Sequence, residues 1–181
     1  MEDVPPVFLA APELHLVRVV DGFLHAQADL FRQAPETVLR EKVQAADLGV
    51  AEKVLFLGEV PYAELPAVYA AADAKVISSD YESFCFAAIE AMSTGLPVLT
   101  TDCAWVPRLV ADGAGLVVPA GDVAALAAGL KKLAENPALR RRLGATGRQQ
   151  VLERHTWPAS ADTLRHLYRK LTRTASDAES R

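Results

Sequence analysis

The chain has 181 residues, 51% of them hydrophobic and 23% charged, with a formal net charge of −4. That length suits one domain with a sizeable core, and no apolar run approaches the roughly 18 to 20 residues that a membrane-spanning helix needs. An acidic net balance speaks against nucleic acid as a partner.

Cys85 and Cys103 form neither a metal-ligand spacing nor a disulfide framework. The start Met1-Glu2-Asp3, followed by Pro5-Pro6, lacks the basic-then-apolar layout of a secretory signal. A reducing cytoplasmic setting is the expectation. Charge is uneven along the chain: residues 131–173 carry eleven basic and three acidic side chains, whereas 41–130 carry four and twelve. Solvated helix faces account for the basic flank. The sharper reading is peripheral contact with an anionic membrane face.

In chain order, residues 15–20 read as a strand closed by Asp21-Gly22, and a helical stretch follows to about Leu48, interrupted near Pro35. A short strand is expected at 53–57, ending at Gly58, then a helix at 63–72 and a strand at 74–78. A helix over 84–94 is ended by Gly95, with Pro97 barring its continuation. The strand 97–101, a short helix at 106–111 and the strand 115–118 come next. Helices at 123–135, 137–152 and 158–172 finish the chain. The predicted domain is 1–173, with 174–181 a polar, flexible tail. Strand–helix alternation with non-alternating strands predicts an α/β fold, a doubly wound parallel sheet covered on both faces.

Chemistry is concentrated in residues 80–97, Asp-Tyr-Glu-Ser-Phe-Cys-Phe-Ala-Ala-Ile-Glu-Ala-Met-Ser-Thr-Gly-Leu-Pro, which join the C-terminal end of one strand to a helix. Ligands bind at that edge of an open parallel sheet, and the amides and dipole of a helix N-terminus favour an anion such as a diphosphate. Ser83 is placed to cap the helix. Glu82 lies in the loop before it, open to a group docked at the helix tip. Glu90 is about 10 Å further along at ~1.5 Å per residue. Two carboxylates so spaced suit the two ends of an extended polar ligand. Read by themselves, they are equally an ordinary loop residue and a solvated helix residue.

Glu82 to Glu90 resembles the E-x7-E motif of the glycosyl transferases group 1 family, retaining enzymes of GT-B fold that use nucleotide-diphosphate sugars. Residues 54–61 and 64–73 resemble that family's preceding strand, base-side loop and helix, 95–102 its following strand, and 116–122 its last strand and turn. In all, the similarity runs over about residues 7–171. It implies a C-terminal, Rossmann-like donor domain in which Glu82 faces the donor sugar as the catalytic carboxylate. Backbone amides of Ser83, Phe84, Cys85, Phe86 and Ala87 would hold sugar and phosphates, and Glu90 would accept from the ribose hydroxyls. Gly58, Val60 and Tyr62 would form the base-side loop. The donor would be a UDP- or GDP-sugar, with no cofactor and no metal.

Three departures accompany the resemblance. Cys85 stands where the family has glycine, so its side chain is expected to crowd a ligand; a reactive thiol is the lesser alternative. Cys103-Ala104-Trp105 replaces a Gly-Gly-like turn. The first strand and helix, with an Arg and a Lys that neutralise the diphosphate, find no counterpart, and neither does the acceptor domain. A gap between the strands 15–20 and 74–78 is therefore expected, with an N-terminal acceptor domain or a completing chain as partner and an isolated chain that does not turn over. Trp157 reads as a packing anchor, and Asp102 as a turn former. The competing readings are a degenerate, non-catalytic nucleotide-binding module and a nucleotide-sugar epimerase.

Overall fold

The computed structural model describes residues 17–19, 42–57 and 60–179, the backbone alone for 17–19 and 173–179. The expectations for the ends of the strand 15–20, for Pro35 and for Gly58 lie outside these residues. A four-stranded parallel sheet forms in the order β1 (Val17–Val19), β2 (Ala74–Ile77), β3 (Val98–Thr101) and β4 (Gly115–Val118). Every side chain of β2 and β3 is buried, as in strands covered on both faces.

Three of the helices between strands share one face. They are α1 (Leu65–Ala70), α2 (Phe86–Ser93) and α3 (Val106–Leu109). Their apolar residues pack with Ile77 and Val98 into one cluster. Right-handed crossovers between adjacent parallel strands put successive helices on the same side. α4 (Val123–Ala134) covers the other face, where Leu126, Leu130 and Leu133 meet Ala74, Val76 and Leu99. α5 (Pro137–Arg154) closes both: Leu139 and Leu143 join the second cluster and Val151 the first. The doubly wound architecture stands.

Capping fixes the two long helices. Asp122 accepts from the Ala125 amide at 2.8 Å and Asn136 from the Leu139 amide at 2.9 Å. Arg140 donates to the carbonyls of Leu133 and Ala134, closing α4, and pairs with Asp73 at 3.3 Å just before β2. Arg148 donates to the Ser93 carbonyl at the end of α2. Two members of the basic flank are thus structural, while Arg141 and Arg142 face solvent.

Four expectations are corrected. The gap beside β2 does not exist: β1 pairs with β2 directly, Val17 opposite Ala74 and Val19 opposite Val76, so the backbone groups of that edge are satisfied. Residues 54–57 form no strand; a 3₁₀ turn at Ala51–Lys53 precedes them, and Leu55 and Leu57 remain exposed because no sheet neighbour covers them among the described residues. Trp157 is 90% exposed and anchors nothing within the described residues. The final helix, α6 (Trp157–Glu179), runs past residue 172, through a segment whose Ala175, Ala178 and Glu179 favour helix. Among the described residues no helix is long and apolar enough to cross a membrane.

Candidate functional site

The loop from β2 to α2 leaves the sheet at its C-terminal edge. It does not turn helical where the sequence suggested. Cys85 adopts φ 59° and ψ 67°, the left-handed region, and α2 begins only at Phe86. Ser83 is therefore outside the helix, exposed, and makes no cap. The left-handed turn is the reason glycine suits this position, since a side chain there costs about 1–2 kcal/mol. The Cys85 side chain turns into the core, 3% exposed. It does not crowd the crevice, which corrects the expectation drawn from the missing glycine. Burial, then the Glu82 carboxylate, pushes its thiol up to about 11, away from the lowered pKa of a reactive thiol.

Glu82 departs from its predicted exposure. It is only 3% exposed and accepts from the Ser79 hydroxyl at 3.1 Å. A cation two residues before the end of β2 shares this buried neighbourhood. Lys75 is a buried cation, 1% exposed, on the sheet face beneath α2, and it opposes Glu82 in its effect on the Cys85 thiol. Opposite charges in one buried neighbourhood offset part of each other's desolvation cost.

Helix α2 then presents Phe86 and Ala87 in its first turn, while the Ala88 amide is closed on the Cys85 carbonyl at 3.0 Å. Phe86 is exposed and stacks edge-on with Phe84, which meets His155 in turn. One turn on, Glu90 is half-buried and accepts from the Tyr69 hydroxyl at 3.2 Å. Gly95, at φ 84°, ends the helix as its sequence position predicted.

Glu90 lines an open cleft of about 210 Å³ between α1 with its leading turn (Tyr62, Leu65, Pro66, Tyr69) and the end of α2 (Ser93, Thr94). Its walls are mostly apolar and one carboxylate projects among them. The cleft is smaller than the roughly 300–1,000 Å³ of a complete small-molecule site, so it suits one portion of a longer ligand. Glu90 is four residues from the start of α2, about 6 Å along its axis. Val60 is half-buried against the core cluster below α1, and Tyr62 is exposed at the cleft rim. Of the predicted site residues, Glu90 and Tyr62 meet in one cleft; Glu82 and Cys85 lie under the loop instead.

Sequence reasoning missed Tyr69 and Lys75. A lysine inside a strand otherwise read as wholly apolar was the signal for the second. Asp102, expected as a turn former, instead ties the end of β3 to the turn after β4, accepting from the Ala120 amide at 2.7 Å. Among the described residues no cluster of three His, Cys, Asp or Glu side chains could hold a metal ion.

The family model described as glycosyl transferases group 1 matches residues 15–150. The D-inositol 3-phosphate glycosyltransferase of Corynebacterium efficiens is 33% identical over 85% of this chain and 40% of its own. The phosphatidyl-myo-inositol mannosyltransferase of Mycobacterium leprae is 34% identical over 77% and 37%. Among solved structures, sucrose-phosphate synthase from Thermosynechococcus elongatus superimposes with a TM-score of 0.69 at 32% identity, over 77% of this chain and 35% of that one. An Anabaena protein solved with UDP, HepE, shares the fold, with a TM-score of 0.63 at 23% identity over 78% and 37%. The chain spans less than half the length of these relatives.

Proposed function

Because the chain belongs to the glycosyl transferases group 1 family, we propose that it is the donor-binding part of a retaining glycosyltransferase, with its cleft seating the nucleoside of a UDP- or GDP-sugar. The observation that carries this reading is Glu90, a carboxylate held in a mostly apolar cleft one turn inside a helix whose tip faces the sheet's ligand-binding edge. Ribose hydroxyls would donate to Glu90, and the base would lie toward Tyr62 and the loop that precedes it. The diphosphate would extend to the amides of Phe86 and Ala87.

Transfer would proceed by attack of the acceptor on the face the diphosphate leaves, the leaving group taking the acceptor's proton. No residue of this chain then needs to be a strong base. Glu82 would contribute its charge from beneath the loop, and its direct contact with the sugar requires residues 79–85 to open. The acceptor would be held by an N-terminal domain or a completing chain, at the cytoplasmic membrane face, and this chain alone would not turn over.

Burial of Glu82 favours a second reading, a module that binds nucleotide without transfer. Calorimetric titration with UDP, GDP and ADP, on the chain and its Glu90→Gln variant, tests the first part: one nucleotide is expected to bind selectively and to lose about tenfold in affinity in the variant. Equal and feeble binding of all three would refute it. Assay with an acceptor domain supplied in trans separates transfer from binding alone.

A further inference from the structure

Glu90 is not a mobile side chain on a helix surface. The hydroxyl of Tyr69, 21 residues earlier in the chain, donates to its Oε2 at 3.2 Å. Tyr69 is itself only 3% exposed, packed in the core cluster with Leu65 one turn before it on α1, and the Lys75 Nζ lies 5.8 Å from its ring centroid. The ring cannot swing without opening the core, so the position of its hydroxyl is set by packing. That hydroxyl is both a wall of the cleft and the donor to its carboxylate.

We infer that Tyr69 is a positioning residue for the nucleoside, locking Glu90 so that its second oxygen, Oε1, is presented to the ribose diol. This rests on the reading of the cleft as a nucleoside site. The physical reason is preorganisation. A glutamate has three side-chain torsions, and immobilising such a side chain when a ligand binds costs affinity. The Tyr69 hydrogen bond meets that cost in the unliganded chain. It also leaves one oxygen committed, so the ligand meets a single acceptor in one direction. Ser93 strengthens the arrangement from the other side: its hydroxyl donates to the Glu90 carbonyl at 2.6 Å, fixing the backbone from which the carboxylate projects. Lys75 and the Tyr69 ring attract as cation and π-face, so the buried charge under the loop and the carboxylate in the cleft are linked through one aromatic ring.

Titration of the chain with UDP and GDP, each beside its 2′,3′-dideoxy counterpart, tests this. The chain should prefer the ribonucleotide, and Tyr69→Phe should reduce that preference about three- to tenfold, the range of one hydrogen bond, by weakening the ribonucleotide more than its dideoxy counterpart. A merely structural role would weaken both ligands together. In the Glu90→Gln background, Tyr69→Phe should change the preference no further, which keeps the test decisive if the single variant folds poorly. An unaltered preference in Tyr69→Phe overturns the positioning role. No preference in the parent chain instead overturns the ribose reading of Glu90 itself, and the inference with it.

Discussion

Gly144 of α5 packs so closely on the turn after α2 that a Cβ there would lie 1.9 Å from the Gly95 carbonyl oxygen. The contact is backbone against backbone, so no flexible side chain can yield. It brings α5 onto the end of the helix that carries Glu90, with Gly147 against Met92 one turn later. Gly144→Ala should therefore force α5 and α2 apart. A destabilisation of about 2–3 kcal/mol is expected, at the upper end for overpacking, read as a lower urea midpoint. A variant as stable as the parent would show that the two helices are not in this contact.

Lys75 and Glu82 are both buried under the loop between β2 and α2. Removing one of two opposite charges leaves the other uncompensated, at a cost of about 3–5 kcal/mol. Lys75→Met is expected to be destabilised on that scale, and Lys75→Met/Glu82→Gln to recover a substantial part. Additive losses in a double-mutant cycle would show that the two charges do not depend on each other.

Much of the fold was legible in the sequence because strands and helices follow local patterns. Residues 74–77, 98–101 and 115–118 are continuous apolar runs, apart from Lys75, Thr100 and Thr101. Of the candidate cleft, the neighbouring places of Glu90 and Tyr62 followed from the strand–loop–helix order. What was not legible depends on distant partners. The burial of Glu82 is met by the Ser79 hydroxyl, and the setting of Glu90 needs Tyr69. The late start of α2 depends on a left-handed cysteine, a conformation that its residue type does not advertise. Trp157 was misread because a tryptophan beside a proline signals packing only if a neighbour is present to receive it.

Cys85 should behave as a silent thiol. With its pKa pushed up to about 11 by burial and by Glu82, little thiolate exists at pH 8, and alkylation by iodoacetamide should be slow in the native chain and fast in urea. The left-handed backbone adds a second expectation. Cys85→Gly should keep stability within about 1 kcal/mol, relief of strain offsetting lost packing. Cys85→Val should lose more than about 2 kcal/mol, since a β-branched residue fits that conformation poorly. Rapid native alkylation, or equal stability of the two variants, would contradict this placement.

His155 is held below its ordinary value of 6.5 by burial and then by the neighbouring Arg154 charge. Folding thus favours the neutral ring. The folded chain binds fewer protons than the unfolded chain, so this contribution is complete above about pH 6.5 and is lost as acid carries the pH down through the folded pKa. Partial solvent exposure keeps the contribution small. Melting curves at pH 7.5 and 5.5 should show a smaller acid loss in His155→Gln than in the parent; an identical loss would exclude the ring as a contributor.

The central claim, a nucleoside diphosphate seated between Glu90 and the tip of α2, is tested most directly by amide chemical-shift mapping of the labelled chain titrated with UDP and GDP. Saturable shifts are expected at residues 62–69 and 85–94, on both walls of the cleft and along the helix to its tip. Shifts confined to α6 and the basic flank, or none at millimolar nucleotide, would contradict it.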